Sequence, residues 1–197
     1  MADRPPRKRI VVCASGASGA RLTGRFLGHL LRHRGVGEVH FTGSSSFRLV
    51  LKREEGRSLE SFLDELGGGG RLRVYGEKEL DAPVASGSFP VHGTVIIPAS
   101  TSTVGAIASG AGRDLSHRCA EVALKEGRPL LVVPRETPMS LLFLRNLAAL
   151  REAGALVAPF IPAYYQGPVT LEEIEDHFLM RLMDHLGLET ALSKRWK

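Results

Sequence analysis

The sequence contains only two cysteines, Cys13 and Cys119, in 197 residues. Two cysteines provide neither a disulfide framework nor the ligand spacing of a metal site, so both are expected to be small buried side chains. No segment approaches the roughly 20 apolar residues that a membrane span requires, and residues 1–9 lack the apolar centre of a signal peptide. These absences favour a cytoplasmic protein without a membrane partner.

The histidines show no metal-ligand spacing either. His29 and His33 lie four residues apart on a predicted helix, but Arg32 and Arg34 flank them and no carboxylate is near in the sequence. We expect a solvated helix face there and no bound metal.

The net charge of +5 is concentrated at the chain ends. Without those ends the chain is nearly neutral, which argues against a nucleic-acid partner. We therefore divide the chain into a basic arm at residues 1–8, one α/β domain at residues 9–188 and a tail at residues 189–197. The basic residues at the ends are Arg4, Arg7, Lys8, Arg9, Lys194, Arg195 and Lys197.

Short β-branched segments alternate with segments of helical periodicity, which is typical of βαβ units. Several of them are almost entirely apolar, as strands covered on both faces should be. The sequence therefore predicts an α/β fold with a mainly parallel sheet. The predicted strands are Arg9–Ala14, Glu38–Thr42, Leu72–Tyr75, Thr94–Pro98, Pro129–Val133 and Ala155–Ala158.

Three predicted helices have recognisable N-termini. Asp114 is a good cap for the first, and Thr137 followed by Pro138 favours a start for the second. The third begins with a capping box of Thr170 and Glu173.

The segment from residue 55 to 89 shows little regular pattern outside its predicted strand. It includes four consecutive glycines, Gly67–Gly70, which maximise backbone freedom. A mobile lid and a tolerant surface loop are both consistent with this composition.

Four polar clusters follow predicted strands: SGASG (15–19), TGSSS (42–46), PASTST (98–103) and VPRETP (133–138). In open α/β sheets ligands bind at the carboxyl ends of the strands, so these clusters predict the site. In the first cluster the Ser15 and Ser18 hydroxyls and free amides at a helix N-terminus favour an anion. It contains no dinucleotide fingerprint, Walker lysine or nucleophile elbow, so a tightly packed turn without a ligand stays an alternative.

The other clusters add hydroxyls and charge. The hydroxyl run predicts polar contacts to a sugar-alcohol chain or a flavin ring, or else an ordinary helix cap. Arg135 is a forked phosphate donor and Glu136 a candidate for proton transfer, with a structural ion pair between them as the alternative. If Lys125, Tyr165 and Arg181 converge on them, the site suits phosphate-ester chemistry. The hydroxyl run is Ser100, Thr101, Ser102 and Thr103.

Several of these segments together resemble the UbiX-type flavin prenyltransferases, in colinear order over residues 9–188. The resemblance implies a Rossmann-like/flavodoxin-like three-layer fold. The segments that carry it are SGASGARLTGRFL, SGSFP, VIIPASTSTVGAIASG, VALKEGRPLLVVPRETP, AYYQGP and TLEEIEDHFLMRLMDHLGL.

The resemblance further implies an enzyme that joins the dimethylallyl group of dimethylallyl phosphate to N5 and C6 of reduced FMN without a metal. The product, prenylated FMN, would pass to a UbiD-type decarboxylase. Members of the family have also been described as aromatic acid decarboxylases. The resemblance also implies a homododecamer.

The same resemblance assigns residues to roles. Glu136, Lys125, Ser18 and Glu54 would be catalytic, and Phe89 would give the prenyl group an aromatic face. Tyr165 and Arg181 would reach the site of a neighbouring subunit. The residues that would bind FMN are Gly16, Ala17, Ser18, Ser44, Ser100, Thr101, Ser102, Thr103 and Arg135, and those that would bind the prenyl phosphate are Lys125, Arg135, Glu136, Tyr165 and Arg181.

Two departures from the family pattern keep other functions open. Ser102 stands where the family has a lysine, and Gly167 where it has an arginine. A non-catalytic FMN-binding or assembly subunit is one alternative. A flavodoxin-like decarboxylase of a cysteine-derived substrate is another, although its histidine and Asn-containing motifs are not found.

Overall fold

The structure is a computed structural model that describes residues 7–195. Within this range six strands form one parallel sheet, in the spatial order 3-2-1-4-5-6. They are β1 (Lys8–Ala14), β2 (Val36–Gly43), β3 (Leu72–Tyr75), β4 (Gly93–Ala99), β5 (Leu130–Pro134) and β6 (Leu156–Val157).

Helices cover both faces of this sheet. One face carries α1 (Ala20–Arg32), α2 (Ser45–Glu55), α3 (Leu59–Leu66) and α7 (Leu171–His185). The other carries α4 (Thr101–Ser109), α5 (Leu115–Lys125) and α6 (Leu141–Glu152). The predicted three-layer α/β fold is confirmed, and the strand order is that of the doubly wound Rossmann type.

The central strand β1 shows why the sheet is buried on both sides. Ile10 and Val12 join the apolar cluster on the α1 and α7 face, whereas Val11 and Cys13 join the cluster on the α5 face. Successive side chains of a strand point to opposite faces, so an unbroken apolar segment fills both layers. Cys13 and Cys119 are buried and free, as predicted.

Two of the three predicted helix starts are confirmed. The Asp114 carboxylate accepts a hydrogen bond from the His117 amide at 3.0 Å, and Thr170 forms the capping box of α7. The predicted start of α6 at Thr137 and Pro138 is wrong. Ser140 is the cap, because its hydroxyl accepts from the Phe143 amide at 3.2 Å.

The weakly patterned segment contains a helix that the sequence did not predict. Ser58 caps α3, and Leu59 and Phe62, three residues apart, are buried. Gly67 ends this helix with φ +60°, a left-handed conformation that favours glycine. The glycine turn leads into the start of β3, so it lies at the amino edge of the sheet and cannot cover ligands at the carboxyl edge.

A series of ion pairs joins α1 to α7. Arg21 Nε and Arg25 Nε lie 3.2 and 3.0 Å from the carboxylate of Glu175, which is buried. His29 Nε2 lies 2.9 Å from the Asp176 carboxylate, so the predicted solvated face is wrong at this residue. These pairs fix α7 against the helix that begins at the SGASG turn.

Residues 189–195 lie along α7 and the end of α1. Both terminal nitrogens of Arg195 donate to the Asp184 carboxylate at 2.7 Å, and His33 Nε2 lies 2.9 Å from the Glu189 carbonyl oxygen. Most of the predicted basic arm and the last two residues fall outside the described residues. Among residues 7–195, no helix is long and apolar enough to cross a bilayer.

Candidate active site

The loops after β1 and β4 meet at the centre of the carboxyl edge. The Ser15 hydroxyl donates to the Pro98 carbonyl oxygen at 2.9 Å and accepts from the Ser100 amide at 2.8 Å. Ser15 is buried. Strand order reverses between these two strands, which is where doubly wound folds bind ligands, so Ser15 supports the expected ligand crevice.

The SGASG turn is held by its neighbours. The Ala17 amide donates to the Ser15 carbonyl oxygen at 2.8 Å, which places Ser18 half-buried at the tip. The Ser44 amide donates to the Ala14 carbonyl oxygen at 2.9 Å, and the Ser44 hydroxyl caps α2. The predicted flavin-contacting residues of both loops therefore lie together.

Gly16 makes a close approach to the first turn of α2. A Cβ atom added at Gly16 would lie 2.4 Å from the Cβ of Ser46. The space between the two loops therefore requires glycine at this position.

Gly16→Ala is expected to lower the free energy of unfolding by about 1–3 kcal/mol, because the added methyl group overpacks this contact. Denaturant unfolding at equilibrium measures the change. The matched comparison uses Ser46→Gly, which removes the clashing Cβ atom. Adding Gly16→Ala to Ser46→Gly should lower the free energy of unfolding much less than adding Gly16→Ala to the wild type. An unchanged unfolding midpoint for Gly16→Ala would contradict this contact.

The N-terminus of α1 already holds a carboxylate of the same chain. Glu54, at the end of α2, accepts from the Gly19 amide at 3.1 Å and from the Ala20 amide at 2.8 Å. A helix N-terminus stabilises negative charge, as predicted, but these two amides are not free for a phosphate. The structure thus places Glu54 beside Ser18.

The hydroxyl run is divided between capping and exposure. The Ser100 hydroxyl accepts from the Thr103 amide at 3.3 Å and lies 3.1 Å from the Ser102 hydroxyl. Thr103 is buried, whereas Thr101 and Ser102 are exposed at the carboxyl edge. Ser100 caps α4, so the capping alternative holds for this one residue, whereas Thr101 and Ser102 are exposed in the first turn of the helix.

Arg135 and Glu136 follow β5 beside this run. The Arg135 amide donates to the Ala99 carbonyl oxygen at 3.2 Å, and Glu136 Oε1 accepts from the Thr137 amide at 2.9 Å. Arg135 is exposed and forms no ion pair with any of the described residues, so the structural ion pair with Glu136 is wrong. An unpaired guanidinium beside exposed hydroxyls suits an anionic, polyhydroxylated ligand.

Lys125 and Phe89 lie at the opposite, amino edge. Lys125 ends α5, pairs with the Glu126 carboxylate and packs against Gly87. The Phe89 ring lies edge-on to His40, with 5.4 Å between centroids. The five residues of β5 span roughly 16 Å between the two edges, so one chain does not bring Lys125 and Glu136 together.

Tyr165 and Arg181 form a third group around α7. The Tyr165 hydroxyl lies 3.2 Å from His177 Nε2, and Arg181 is exposed one helical turn after His177. Burial, and to a lesser degree the charge of Arg181, lower the pKa of His177 below its ordinary value. His177 was not predicted from the sequence.

One further residue of the carboxyl edge, Glu77, was also missed, whereas Thr42 belongs to the predicted TGSSS cluster. Glu77 accepts from the Ser45 amide at 3.0 Å at the N-terminus of α2. The Thr42 hydroxyl is buried at the end of β2 without a hydrogen-bond partner in the described range. Glu77 lies in the weakly patterned segment, where no periodicity marks it.

The fold and the carboxyl-edge site define an α/β protein that binds a nucleotide-like ligand at the point where its strand order reverses. Residues 2–178 match the model of the Flavoprotein family. The chain is 38% identical to the flavin prenyltransferase UbiX of Pseudomonas aeruginosa, over 96% of this chain and 94% of the relative. It therefore belongs to the UbiX-type flavin prenyltransferases.

Two solved structures support this assignment. One is a UbiX crystal structure in complex with FMN and dimethylallyl pyrophosphate, 37% identical, with a TM-score of 0.89 over 97% of this chain and 98% of that chain. The other is a dodecameric FMN-dependent UbiX-like decarboxylase from Escherichia coli O157:H7, 33% identical, with a TM-score of 0.88 over 96% of this chain and 99% of that chain.

Proposed function

We propose that the protein joins the dimethylallyl group of dimethylallyl phosphate to N5 and C6 of reduced FMN, and that the product is prenylated FMN. The observation that carries this proposal is the exposed Arg135 at the carboxyl edge, which forms no ion pair within residues 7–195 and lies next to Glu136 and near exposed hydroxyls. The relatives named as flavin prenyltransferases and the structure bound to FMN and dimethylallyl pyrophosphate support it.

The donor set of the carboxyl edge fits FMN. Thr101 and Ser102 offer hydroxyls for a ribityl chain, and the small residues Gly16 and Ala17 allow a flat ring to approach the turn. Arg135 would supply paired donors for a phosphate. Bound reduced FMN supplies the electron-rich N5 and C6 atoms that accept the prenyl group.

The remaining residues would act on the second reactant. Loss of the phosphate leaving group develops negative charge, which Lys125, Arg181 and the Tyr165 hydroxyl would stabilise. Glu136 would move protons at the reacting atoms, since its carboxylate is anchored at one oxygen by Thr137 and keeps the other for transfer. Phe89 would offer an aromatic face to the prenyl group.

We infer that several copies of the chain complete each site. One chain places Lys125 and Phe89 at the amino edge, Arg135 and Glu136 at the carboxyl edge, and Tyr165 with α7. Large apolar side chains are exposed on α6 and near Tyr165, with Leu142 70% and Val169 90% exposed. Such a surface favours association, and a homododecamer like that of the E. coli protein is the proposed assembly.

The proposed setting is the cytoplasm, and the proposed recipient of prenylated FMN is a UbiD-type decarboxylase. A prenylated flavin is useful only to an enzyme that binds it as a cofactor, so the product must be handed on.

Anaerobic incubation with reduced FMN and dimethylallyl phosphate, followed by mass analysis of the extracted flavin, tests the activity. The expected flavin gains a five-carbon unit, and samples without the prenyl phosphate are the control. Bound flavin of unchanged mass would instead identify a non-catalytic FMN-binding subunit.

A further inference from the structure

We propose that His177, together with Ser193, is a positioning residue that orients the Tyr165 hydroxyl to donate to the phosphate of the prenyl substrate. This inference rests on the proposed function, because it assigns Tyr165 to that phosphate. It gives a role to a buried histidine and to a C-terminal segment that no other part of the site explains.

The geometry places His177 between two hydroxyls. Its Nε2 lies 3.2 Å from the Tyr165 hydroxyl and its Nδ1 lies 3.3 Å from the Ser193 hydroxyl. The Tyr165 and His177 rings are perpendicular, with centroids 5.7 Å apart. Both ring nitrogens are therefore engaged, and the edge-to-face contact restrains the phenol ring.

Exposure separates the two aromatic residues. His177 is 8% exposed, whereas Tyr165 is 57% exposed. A pair that served only the core would bury the phenol as well. The buried imidazole instead holds the hydroxyl of a ring that remains accessible to a ligand.

The ligand sets the direction of the hydrogen bonds. A neutral imidazole has one donor and one acceptor nitrogen, and the lowered pKa keeps His177 neutral at pH 7. Phosphate oxygens are strong acceptors, so Tyr165 must donate to them. The Tyr165 oxygen then accepts from His177 Nε2, and Nδ1 accepts from the Ser193 hydroxyl.

The C-terminal segment fixes Ser193 in place. Arg195, two residues further on, forms a two-bond contact with Asp184 of α7 and donates to the Thr190 carbonyl oxygen at 3.1 Å. The segment is thus fastened to the helix that carries both His177 and Arg181. Leu192, beside Ser193, also packs against the apolar cluster on the α1 and α7 face.

Calorimetric titration of dimethylallyl phosphate into the FMN-loaded protein tests the inference, together with steady-state kinetics. His177→Phe keeps the ring and removes both hydrogen bonds. It should raise Kd and KM for dimethylallyl phosphate about tenfold or more, since hydrogen bonds to charged groups are among the stronger ones. The Kd for FMN should not change, and kcat should fall as well, because the Tyr165 hydroxyl would also stabilise the charge that develops on the leaving phosphate.

Three matched variants sharpen the test. His177→Gln places an amide nitrogen near the position of Nε2 and should restore Kd to within about threefold of the wild type. Ser193→Ala should raise Kd less than His177→Phe. Tyr165→Phe removes the donor itself and should raise Kd at least as much as His177→Phe. The double variant should lose no more than Tyr165→Phe alone, because His177 acts only through the Tyr165 hydroxyl.

The outcomes separate this inference from the proposed function. Wild-type activity with an unchanged Kd in His177→Phe and His177→Gln, or additive losses in the double variant, would overturn the inference alone. If the wild type and the variants bind dimethylallyl phosphate with the expected pattern of Kd values but no prenylated flavin forms, the proposed reaction is overturned and the positioning role stands. No binding of dimethylallyl phosphate by the wild type would overturn both.

Discussion

Glu136→Gln is expected to slow formation of prenylated FMN by about 10²–10⁴-fold, the usual contribution of a general acid–base residue. Glutamine retains the oxygen that accepts from the Thr137 amide, so the shape of the loop is kept and only proton transfer is lost. FMN affinity should stay within about twofold. Glu136 forms no ion pair with Arg135, so the substitution does not disturb the guanidinium that would bind FMN.

Anaerobic single-turnover experiments with excess enzyme measure this effect without interference from product release. Glu152→Gln is the matched control. It makes the same chemical change at an exposed carboxylate, at the end of the helix α6 that follows Glu136 in the chain. Turnover equal to the wild type in Glu136→Gln would remove Glu136 from the mechanism.

Lys125→Ala is expected to be nearly inactive alone, and to regain activity when assembled with Glu136→Gln subunits. The two residues lie at opposite edges of the sheet in one chain, separated by β5. If each site takes Lys125 from one copy and Glu136 from another, the two residues meet across a heterologous interface. Random mixing of the two variants then leaves about one site in four with both native residues. Co-expressed, differently tagged subunits purified through both tags provide the mixed assembly.

The matched control pairs Glu136→Gln with Arg135→Ala. These residues are adjacent at the carboxyl edge of one chain, so a mixture of the two variants should regain nothing. Recovery in the control as well, or no recovery with Lys125→Ala, would contradict a site assembled from the two edges of different chains.

Gly167 shows how a departure from the family pattern depends on the local backbone. It ends the short helical turn Tyr164–Gln166 with φ +63°, a conformation that an arginine would adopt only with strain. The left-handed conformation that ends this turn therefore favours glycine over the family's arginine at position 167. The Tyr165 hydroxyl contacts His177 in the turn that Gly167 ends.

Much of the site could be predicted from the sequence because its polar clusters follow strands of a predicted parallel sheet. Polar clusters that follow parallel strands must lie at one edge, and the contacts of Ser15, Ser100 and Arg135 there agree with this expectation. The same rule also applies to Lys125. A residue between a helix and the next strand lies at the amino edge, so the sequence contained the signal that this lysine belongs elsewhere.

Helix ends were predictable only where one capping residue dominates. Thr170 had no nearby rival, whereas Thr137 competed with Ser140, three residues later. Both offer a hydroxyl, and the choice depends on where α6 packs. Local propensity could not decide it.

The layered parallel fold, the ligand-binding edge and the hydroxyl and charged groups on that edge could be read from the sequence, because hydrophobic periodicity and the alternation of strands with helices are local properties of the chain. Only the folded structure shows that Glu54 fills the N-terminus of α1, that Arg135 forms no ion pair among the described residues and that His177 joins Tyr165 to Ser193. Each of these depends on side chains whose distance in space is set by packing between layers, which spacing along the sequence does not specify.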